Sequence, residues 1–207
     1  MKMDEREVFS SQHFDVLKEI GNIGSGHVAT SLSQLLSRPV DMSLPHVSVL
    51  DVNKFVDILG GPETQVVGVL FTLNEDFRGM IMFVTEREFA HLSLNVLLGK
   101  DFQSFSDLGD MEISTLREVA NIVVGSYLNA IGDLTGMRMG LSEPHIAIDM
   151  AGAVLSVPAI EVERLGDRAL FIQDGFVDGT EKVTSYILLL AEQGYLEKML
   201  RMLGIEV

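Results

Sequence analysis

The second half of this 207-residue chain repeats the first. The segment that begins at Asp15, DVLKEIGNIGSGHVATSLSQLL, aligns without a gap with the segment that begins at Ser114, STLREVANIVVGSYLNAIGDLT. The same offset of 99 residues holds further on, where Ser43, Pro45 and His46 recur as Ser142, Pro144 and His145. A duplication constrains the fold strongly, because both copies are expected to form the same substructure.

Each copy predicts a long helix, several strands and a closing helix that ends at Gly99 or Gly204, since glycine commonly terminates helices. We predict a single α+β domain over residues 1–207, made of two internal repeats at about 11–100 and 110–207. The two helix–strands–helix halves are expected to share one β-sheet, flanked by the long helices and related by a pseudo-two-fold axis. Predicted strands, chosen for β-branched and aromatic content, are Val40–Leu44, Val47–Val52, Gln65–Leu73, Arg78–Thr85, Ile146–Met150, Ala153–Val157, Ala169–Gln173 and Thr184–Ala191. The offset grows to about 105 near the C-terminus, and the Gly and Asp residues of 175–182 predict the insertion there.

Charge and composition exclude several classes of protein. Apolar residues make up 47% of the chain, which is enough for a core. The net charge of −15 disfavours nucleic acid and anionic membranes as partners. The lack of cysteine excludes disulfides, thiolate metal sites and Cys nucleophiles. Since the sequence shows neither a signal peptide nor an apolar run of membrane-spanning length, we predict a cytoplasmic protein.

A polar stripe runs along each predicted long helix. At about 100° per residue, the first stripe consists of Asp15, Glu19, Asn22 and Gly26, and the second of Ser114, Glu118, Asn121 and Gly125. The opposite faces carry the apolar positions: Leu17, Ile20, Gly24, Val28 and Leu35 in the first helix, and Leu116, Val119, Val123, Tyr127 and Leu134 in the second.

The residue types of the stripes indicate a surface that binds a partner and also takes part in a reaction. An isolated helix Glu is usually just solvated, but mid-helix Asn and Gly lower helix stability, and both recur here. Gly26 and Gly125 predict places where a partner approaches closely. Glu can pair with a cation and Asn can orient a water, whereas neither stripe offers a His or Lys as general base. This set suits phosphoryl transfer, which depends mainly on positioning and charge stabilisation.

The pattern Asp/Ser-x3-Glu-x2-Asn-x22-Pro resembles the signature of the CheC/CheX/FliY family of chemotaxis phosphatases. It is met twice, by Asp15, Glu19, Asn22 and Pro45 and by Ser114, Glu118, Asn121 and Pro144. Two intact motifs in a chain of this length are most similar to the CheC-type members.

This resemblance implies an aspartyl-phosphate phosphatase whose substrate is the phosphorylated response regulator CheY. Asn22 or Asn121 would position the attacking water, and Glu19 or Glu118 would pair with a lysine of the regulator. The resemblance implies that Asp15 and Ser114 support the helix or the interface, and that Pro45 and Pro144 shape the following loop, unless these prolines only mark a helix-to-strand boundary. No cofactor is expected in this chain, because the Mg²⁺ belongs to the regulator.

The family also implies a second partner, the receptor deamidase CheD. The segment Ile148–Ala159 is a candidate docking site with Asp149 as a contact, or else simply a buried strand. A non-catalytic adaptor that sequesters CheD or the regulator stays open as the alternative function. Two other motifs are rejected: Gly24–Ala29 fits G-x-G-x-x-A but lacks the preceding strand, and the five scattered histidines do not form a metal site.

Overall fold

Two helices of 26 residues each dominate the computed structural model, which describes residues 11–50, 52–165, 169–178, 181–192 and 194–205. The first half contains α1 (Ser11–Leu36), β1 (Asp41–Met42), β2 (His46–Leu50), α2 (Val52–Ile58), β3 (Gln65–Glu75), β4 (Gly79–Thr85) and α3 (Arg87–Leu98). A short 3₁₀ turn at Phe105–Asp107 follows. The second half contains α4 (Asp110–Thr135), β5 (Met139–Leu141), β6 (His145–Met150), α5 (Ala151–Val154), α6 (Ser156–Leu165), β7 (Ala169–Asp178), β8 (Glu181–Ala191) and α7 (Tyr195–Met202).

The strands of the described residues form one eight-stranded antiparallel sheet. Its order is β1-β7-β8-β4-β3-β5, with β2 also beside β7 and β6 also beside β3. Strands β4 and β8 pair at the centre, where Met82 lies opposite Leu188. Exchanging each strand for its counterpart in the other half reproduces this order in reverse. The predicted α+β fold, with two halves sharing one sheet about a pseudo-two-fold axis, is therefore confirmed.

The two halves exchange their first strands. The strands β1 and β2 of the first half pair with β7 of the second, where Val47 lies opposite Ile172. In the same way β5 and β6 pair with β3 of the first half, where Ile148 lies opposite Val67. Each half thus supplies the outer strands that complete the other half of the sheet.

The residue pairings between neighbouring strands also show where the extra residues of the second half lie. Val49 and Ile148 are equivalent at the offset of 99, but their partners Leu170 and Val67 lie 103 residues apart. Four extra residues therefore lie between β6 and β7. The equivalent residues of β4 and β8 lie 104 apart, which leaves one extra residue between β7 and β8. Most of the insertion thus lies before β7, whereas the sequence predicts it within the segment 175–182.

Helices cover both faces of the sheet. The long helices, with α3 and α7, pack on the face that carries Val67, Val69 and Phe71 of β3. The shorter helices α2, α5 and α6 pack on the other face, where the Phe55 ring lies 4.7 Å from that of Phe171. This arrangement explains why the strands at the centre are apolar on both sides.

The main departure from the predicted strands is at Ala153–Val157, where the prediction is wrong. Ala153 and Val154 belong to α5, and Val157 belongs to α6. The helical turn lets Val154 pack on the sheet at Gly68, where a Cβ would lie 2.3 Å from Cγ1 of Val154. Tertiary packing here outweighs the β propensity of the two valines.

Other boundaries differ less. The predicted strand Val47–Val52 ends at Leu50, and Val52 begins α2, which the strand prediction missed. Leu134, assigned to the apolar face of its helix, is 38% exposed near the end of α4. The closing helix of each half ends at the predicted glycine. Gly99 adopts φ 63° after α3, and Gly204 adopts φ 79° just after α7.

Candidate functional site

The first stripe lies exposed along α1. Asp15, Glu19, Asn22 and Gly26 are all exposed, whereas Leu17, on the opposite side of the helix, is fully buried. Oδ1 of Asp15 lies 3.8 Å from Nζ of Lys18, an exposed ion pair one turn along the helix. Since Glu19 and Asn22 are three residues apart, their side chains are neighbours on the helix surface.

The second stripe occupies the equivalent side of α4 but is less open. Ser114 and Glu118 are exposed, whereas Asn121 and Gly125 are half-buried. The two stripes are therefore related by the pseudo-symmetry of the fold and differ in how accessible the Asn is.

The stripe glycines face open space. Among the described residues, a Cβ built on Gly26 or Gly125 would have no heavy atom within 4 Å apart from its immediate chain neighbours and its own helix backbone. Packing against the part of the chain that the structure describes thus requires neither glycine. Thr30 donates a hydrogen bond from Oγ1 to the carbonyl of Gly26 at 3.0 Å, and α1 continues past this residue to Leu36.

The first motif proline lies against α1 beside Asn22. A Cβ on Gly21 would lie 3.4 Å from Cγ of Pro45 and 2.6 Å from Cγ2 of Val47. The glycine therefore permits the loop before β2 to approach the helix closely at the turn that carries Asn22. At the equivalent position of α4 stands Ala120, fully buried, so the second copy accommodates the Cβ that the first excludes.

Gly21 is a contributor to the site that the motif pattern does not include. The signal for it is the mismatch between Gly21 and Ala120 within an otherwise aligned repeat. In the second copy Pro144 directly precedes β6, as Pro45 precedes β2.

The two long helices pack against each other on the sides away from the stripes. The ring of Tyr127 of α4 packs against Gly24 of α1. Nearby, Oγ of Ser126 of α4 donates a hydrogen bond to Oγ of Ser31 of α1 at 2.9 Å. At 100° of rotation per residue, Asn22 lies about 160° around the axis of α1 from Gly24. The first stripe therefore faces outward from the helix pair.

Asp149 lies on a different element from the stripes. It is exposed near the end of β6, and its Oδ1 accepts a hydrogen bond from the backbone N–H of Met150 at 2.7 Å. The candidate docking segment Ile148–Ala159 forms the end of β6, α5 and the beginning of α6, so it is not a buried strand. Its large apolar residues that are exposed are Met150, 49% exposed, and Val157, 47% exposed.

Within the described residues, no group of three or more His, Asp or Glu side chains is arranged to hold a metal ion. Among the same residues, no helix combines the length and apolar character that a membrane span requires.

Comparison with known proteins identifies the class to which this fold and these stripes belong. Residues 13–49, which include the whole first motif, match the model of the CheC-like family. The sequence is 32% identical over 197 residues to the CheY-P phosphatase CheC of Bacillus subtilis, covering 93% of this chain and 94% of that protein. The chain therefore belongs to the CheC-like family.

Two further relatives are more distant. The flagellar motor switch phosphatase FliY of Bacillus subtilis is 28% identical over 152 residues, covering 70% of this chain and 39% of that protein. The crystal structure of Thermotoga maritima FliY shares the fold with a TM-score of 0.74 at 20% identity, covering 95% of this chain and 98% of that one.

Proposed function

We propose that this protein hydrolyses the aspartyl phosphate of a phosphorylated CheY-type response regulator in chemotaxis. The observation that carries the proposal is the pair of outward-facing stripes, each presenting a Glu and an Asn one turn apart beside a glycine with open space around it. Membership in the CheC-like family and the phosphatase names of the relatives from Bacillus subtilis support it.

In the proposed reaction the asparagine positions the attacking water. The side chain of Asn22 or Asn121 enters the active site of the regulator, and its amide holds a water in line with the phosphorus atom. The water forms a bond to phosphorus as the bond to the aspartyl oxygen breaks, which releases inorganic phosphate and restores the regulator carboxylate. The Mg²⁺ and the phosphoryl group arrive with the regulator as parts of the substrate complex, and this chain supplies no general base.

The glutamate fixes the docking angle. Glu19 and Glu118 are exposed carboxylates one turn before the Asn of each stripe, where each would form an ion pair with a lysine of the regulator. Asp15 and Ser114 extend the contact surface by one further turn. Since a Cβ is missing at Gly26 and Gly125, the regulator backbone can approach the helix next to the Asn.

The test is to mix the protein with a phosphorylated CheY-type regulator and Mg²⁺ and to follow phosphate loss. We expect Asn22→Ala/Asn121→Ala to reduce the rate to that of regulator alone. The matched control is Asn129→Ala, which removes an exposed Asn of α4 two turns beyond Asn121 and should leave the rate unchanged. A double variant as fast as the wild type would show that these asparagines are not catalytic.

A second candidate function, an adaptor that binds the deamidase CheD, is favoured by the surface around Asp149. This exposed carboxylate adjoins Met150, and the helix that follows exposes Val157 and Ile160, the latter at 64%. Such a mixture of a charge and apolar side chains suits a protein interface. Calorimetric titration with CheD should show binding that Asp149→Ala and Val157→Ser weaken and that Leu98→Ser, an exposed apolar residue at the end of α3, does not. Equal affinities for all four proteins would refute this assignment.

A further inference from the structure

A buried polar network joins α1, α4 and β7. Oγ of Ser25 donates to Oδ1 of Asp174 at 2.5 Å, and the hydroxyl of Tyr127 donates to Oδ2 of the same carboxylate at 2.5 Å. Ser25 and Tyr127 also contact each other, with 2.7 Å between their oxygens. Asp174 and Tyr127 are fully buried, and Ser25 is 4% exposed.

This Ser25–Tyr127–Asp174 network takes Ser25 from the first half and Tyr127 and Asp174 from the second, and it occupies one of two places that the pseudo-two-fold axis relates. By the helix offset of 99, Ser25 and Tyr127 are equivalent to Val124 and Val28, and by the β3–β7 offset of 103, Asp174 is equivalent to Phe71. All three counterparts, Val124, Val28 and Phe71, are fully buried in the same core. Polar groups at one of these places thus replace the apolar groups at the other.

The network holds α1 at a defined rotation. A buried carboxylate that loses a donor is left with an unsatisfied acceptor, which is costly in a core. A rotation of α1 about its axis would separate Ser25 from Asp174, whereas apolar contacts such as those of Val124 tolerate small rotations. Directional hydrogen bonds therefore restrict both long helices: α1 at Ser25, three residues after Asn22, and α4 at Tyr127, six residues after Asn121.

Ser25 lies one turn after Asn22 on the same helix. Any rotation that breaks the bond to Asp174 therefore also turns the Asn22 side chain relative to a docked partner. On the other side of Asn22, the loop at Pro45 packs against Gly21. The turn that carries Asn22 is thus held at two points.

We propose that Asp174 is a positioning residue for the first stripe: through Ser25 it fixes the rotation of α1 and so the direction of the Asn22 side chain. On α4 its hydrogen bond reaches Tyr127, six residues beyond Asn121, and the residue one turn after Asn121 is the apolar Val124. This inference rests on the proposed function, in which Asn22 positions the attacking water. It makes the two stripes unequal in how their Asn is held, although their motif residues are nearly the same.

The kinetic test separates the two stripes by inactivating one at a time. In an Asn121→Ala background, where the first stripe acts alone, Asp174→Asn and Ser25→Ala should each lower kcat about tenfold, with KM changed less than about twofold, because a small misplacement of a catalytic group affects the rate more than binding. In an Asn22→Ala background Ser25→Ala should alter kcat by less than about twofold, and Asp174→Asn should lower kcat less than in the first background, because its contact on α4, Tyr127, lies six residues beyond Asn121. An equal loss in both backgrounds, or none in the first, would overturn the proposal.

A control and a readout without catalysis complete the test. Val124→Ala truncates the position equivalent to Ser25, and a loss at the second stripe as large as that of Ser25→Ala at the first would show that simple packing explains both. The side-chain amide resonances of Asn22 and Asn121 should respond differently to Asp174→Asn in NMR spectra, with Asn22 shifted or broadened more than Asn121. Since this measurement needs no substrate, it decides the positioning role even if the wild type proves inactive on the regulator, an outcome that would refute the proposed function alone.

Discussion

Gly24 lies directly against the ring of Tyr127, and a Cβ on Gly24 would stand 2.3 Å from both Cδ1 and Cε1 of that ring. The close approach of α1 and α4 therefore depends on the missing side chain at Gly24. In the pseudo-symmetric contact the corresponding pair is Val123 and Val28, both fully buried, so the bulk is distributed differently across the two halves.

We expect Gly24→Ala to lower the free energy of unfolding by about 1–3 kcal/mol, because the added methyl forces the buried Tyr127 ring to move. This is the opposite of the usual effect of replacing a helical glycine by alanine. Urea unfolding of the variant and the wild type measures the difference. A more stable variant would mean that the helix contact opens without cost.

Gly26→Ala and Gly125→Ala should have the reverse effect on stability. Outside the surrounding helix, no atom of the described segments lies within 4 Å of the added Cβ, so each change should raise the free energy of unfolding by about 0.5–1 kcal/mol through helix propensity. Under the proposed function the same variants should dephosphorylate the regulator more slowly, since the methyl group stands where the partner approaches. Thermal unfolding and phosphate release, measured on the same samples, check both parts. A variant that gains stability and keeps its full rate would remove these glycines from the docking surface.

Two buried serines near Asp174 form a matched pair. Ser25 is hydrogen-bonded to Asp174, whereas Ser185 lies opposite Asp174 in the β7–β8 ladder, and its buried hydroxyl has no hydrogen-bond partner among the described residues. We expect Ser25→Ala to lower the free energy of unfolding by about 1–3 kcal/mol, because it leaves the carboxylate short of a donor. Ser185→Ala should be neutral or stabilising, because it removes an unsatisfied polar group. Chemical unfolding of the two variants should rank them in that order, and the reverse order would contradict the hydrogen-bond pattern.

The stability contribution of Asp174 should depend on pH. Burial raises the pKa of Asp174 above its ordinary value of 3.8, and the hydrogen bonds from Ser25 and Tyr127 only partly oppose this effect. The folded state then holds the proton more strongly than the unfolded state, so this group's contribution to stability falls as pH rises from its unfolded pKa through its folded pKa.

Asp174→Asn removes this titration while keeping the shape of the side chain. The stability of the wild type relative to the variant should therefore be greater at about pH 4.5 than at about pH 8. Urea unfolding of both proteins at the two pH values measures it, and groups that titrate alike in both cancel in the difference. A relative stability that increases with pH would show that the two hydroxyl donors outweigh burial.

The duplication made the overall fold predictable. Two copies that each read as helix, strands and helix imply equivalent substructures, and an α-helix is regular enough that spacing alone places Glu19 and Asn22 on one exposed side. Helix ends at glycine were predictable for the same reason, since the left-handed conformation at Gly99 is a local property of the chain.

The pairing partners of the strands could not be predicted in this way. Whether β2 pairs within its own half or with β7 depends on contacts between residues more than a hundred positions apart, and the local pattern of either strand is the same in both cases. The helical segment at Ala153–Val157 was missed because its apolar residues fit a buried strand equally well, and packing on Gly68 decided the outcome. Of the Ser25–Tyr127–Asp174 network, only Asp174 gives a sequence signal, as a single carboxylate in the apolar strand ALFIQDGF.

The exchange of outer strands between the halves has an evolutionary meaning. A single copy of the repeat leaves its third strand without the outer neighbours that the other copy provides, so it corresponds to one protomer of an obligate homodimer. In such a dimer both protomers carry identical residues, and Ser25 and Val124 could not differ. Covalent fusion removes that restriction, because each copy then accumulates substitutions independently. The polar network at one place and the valine and phenylalanine side chains at the pseudo-symmetric place are a form of divergence open to the fused chain and closed to a symmetric dimer of identical copies.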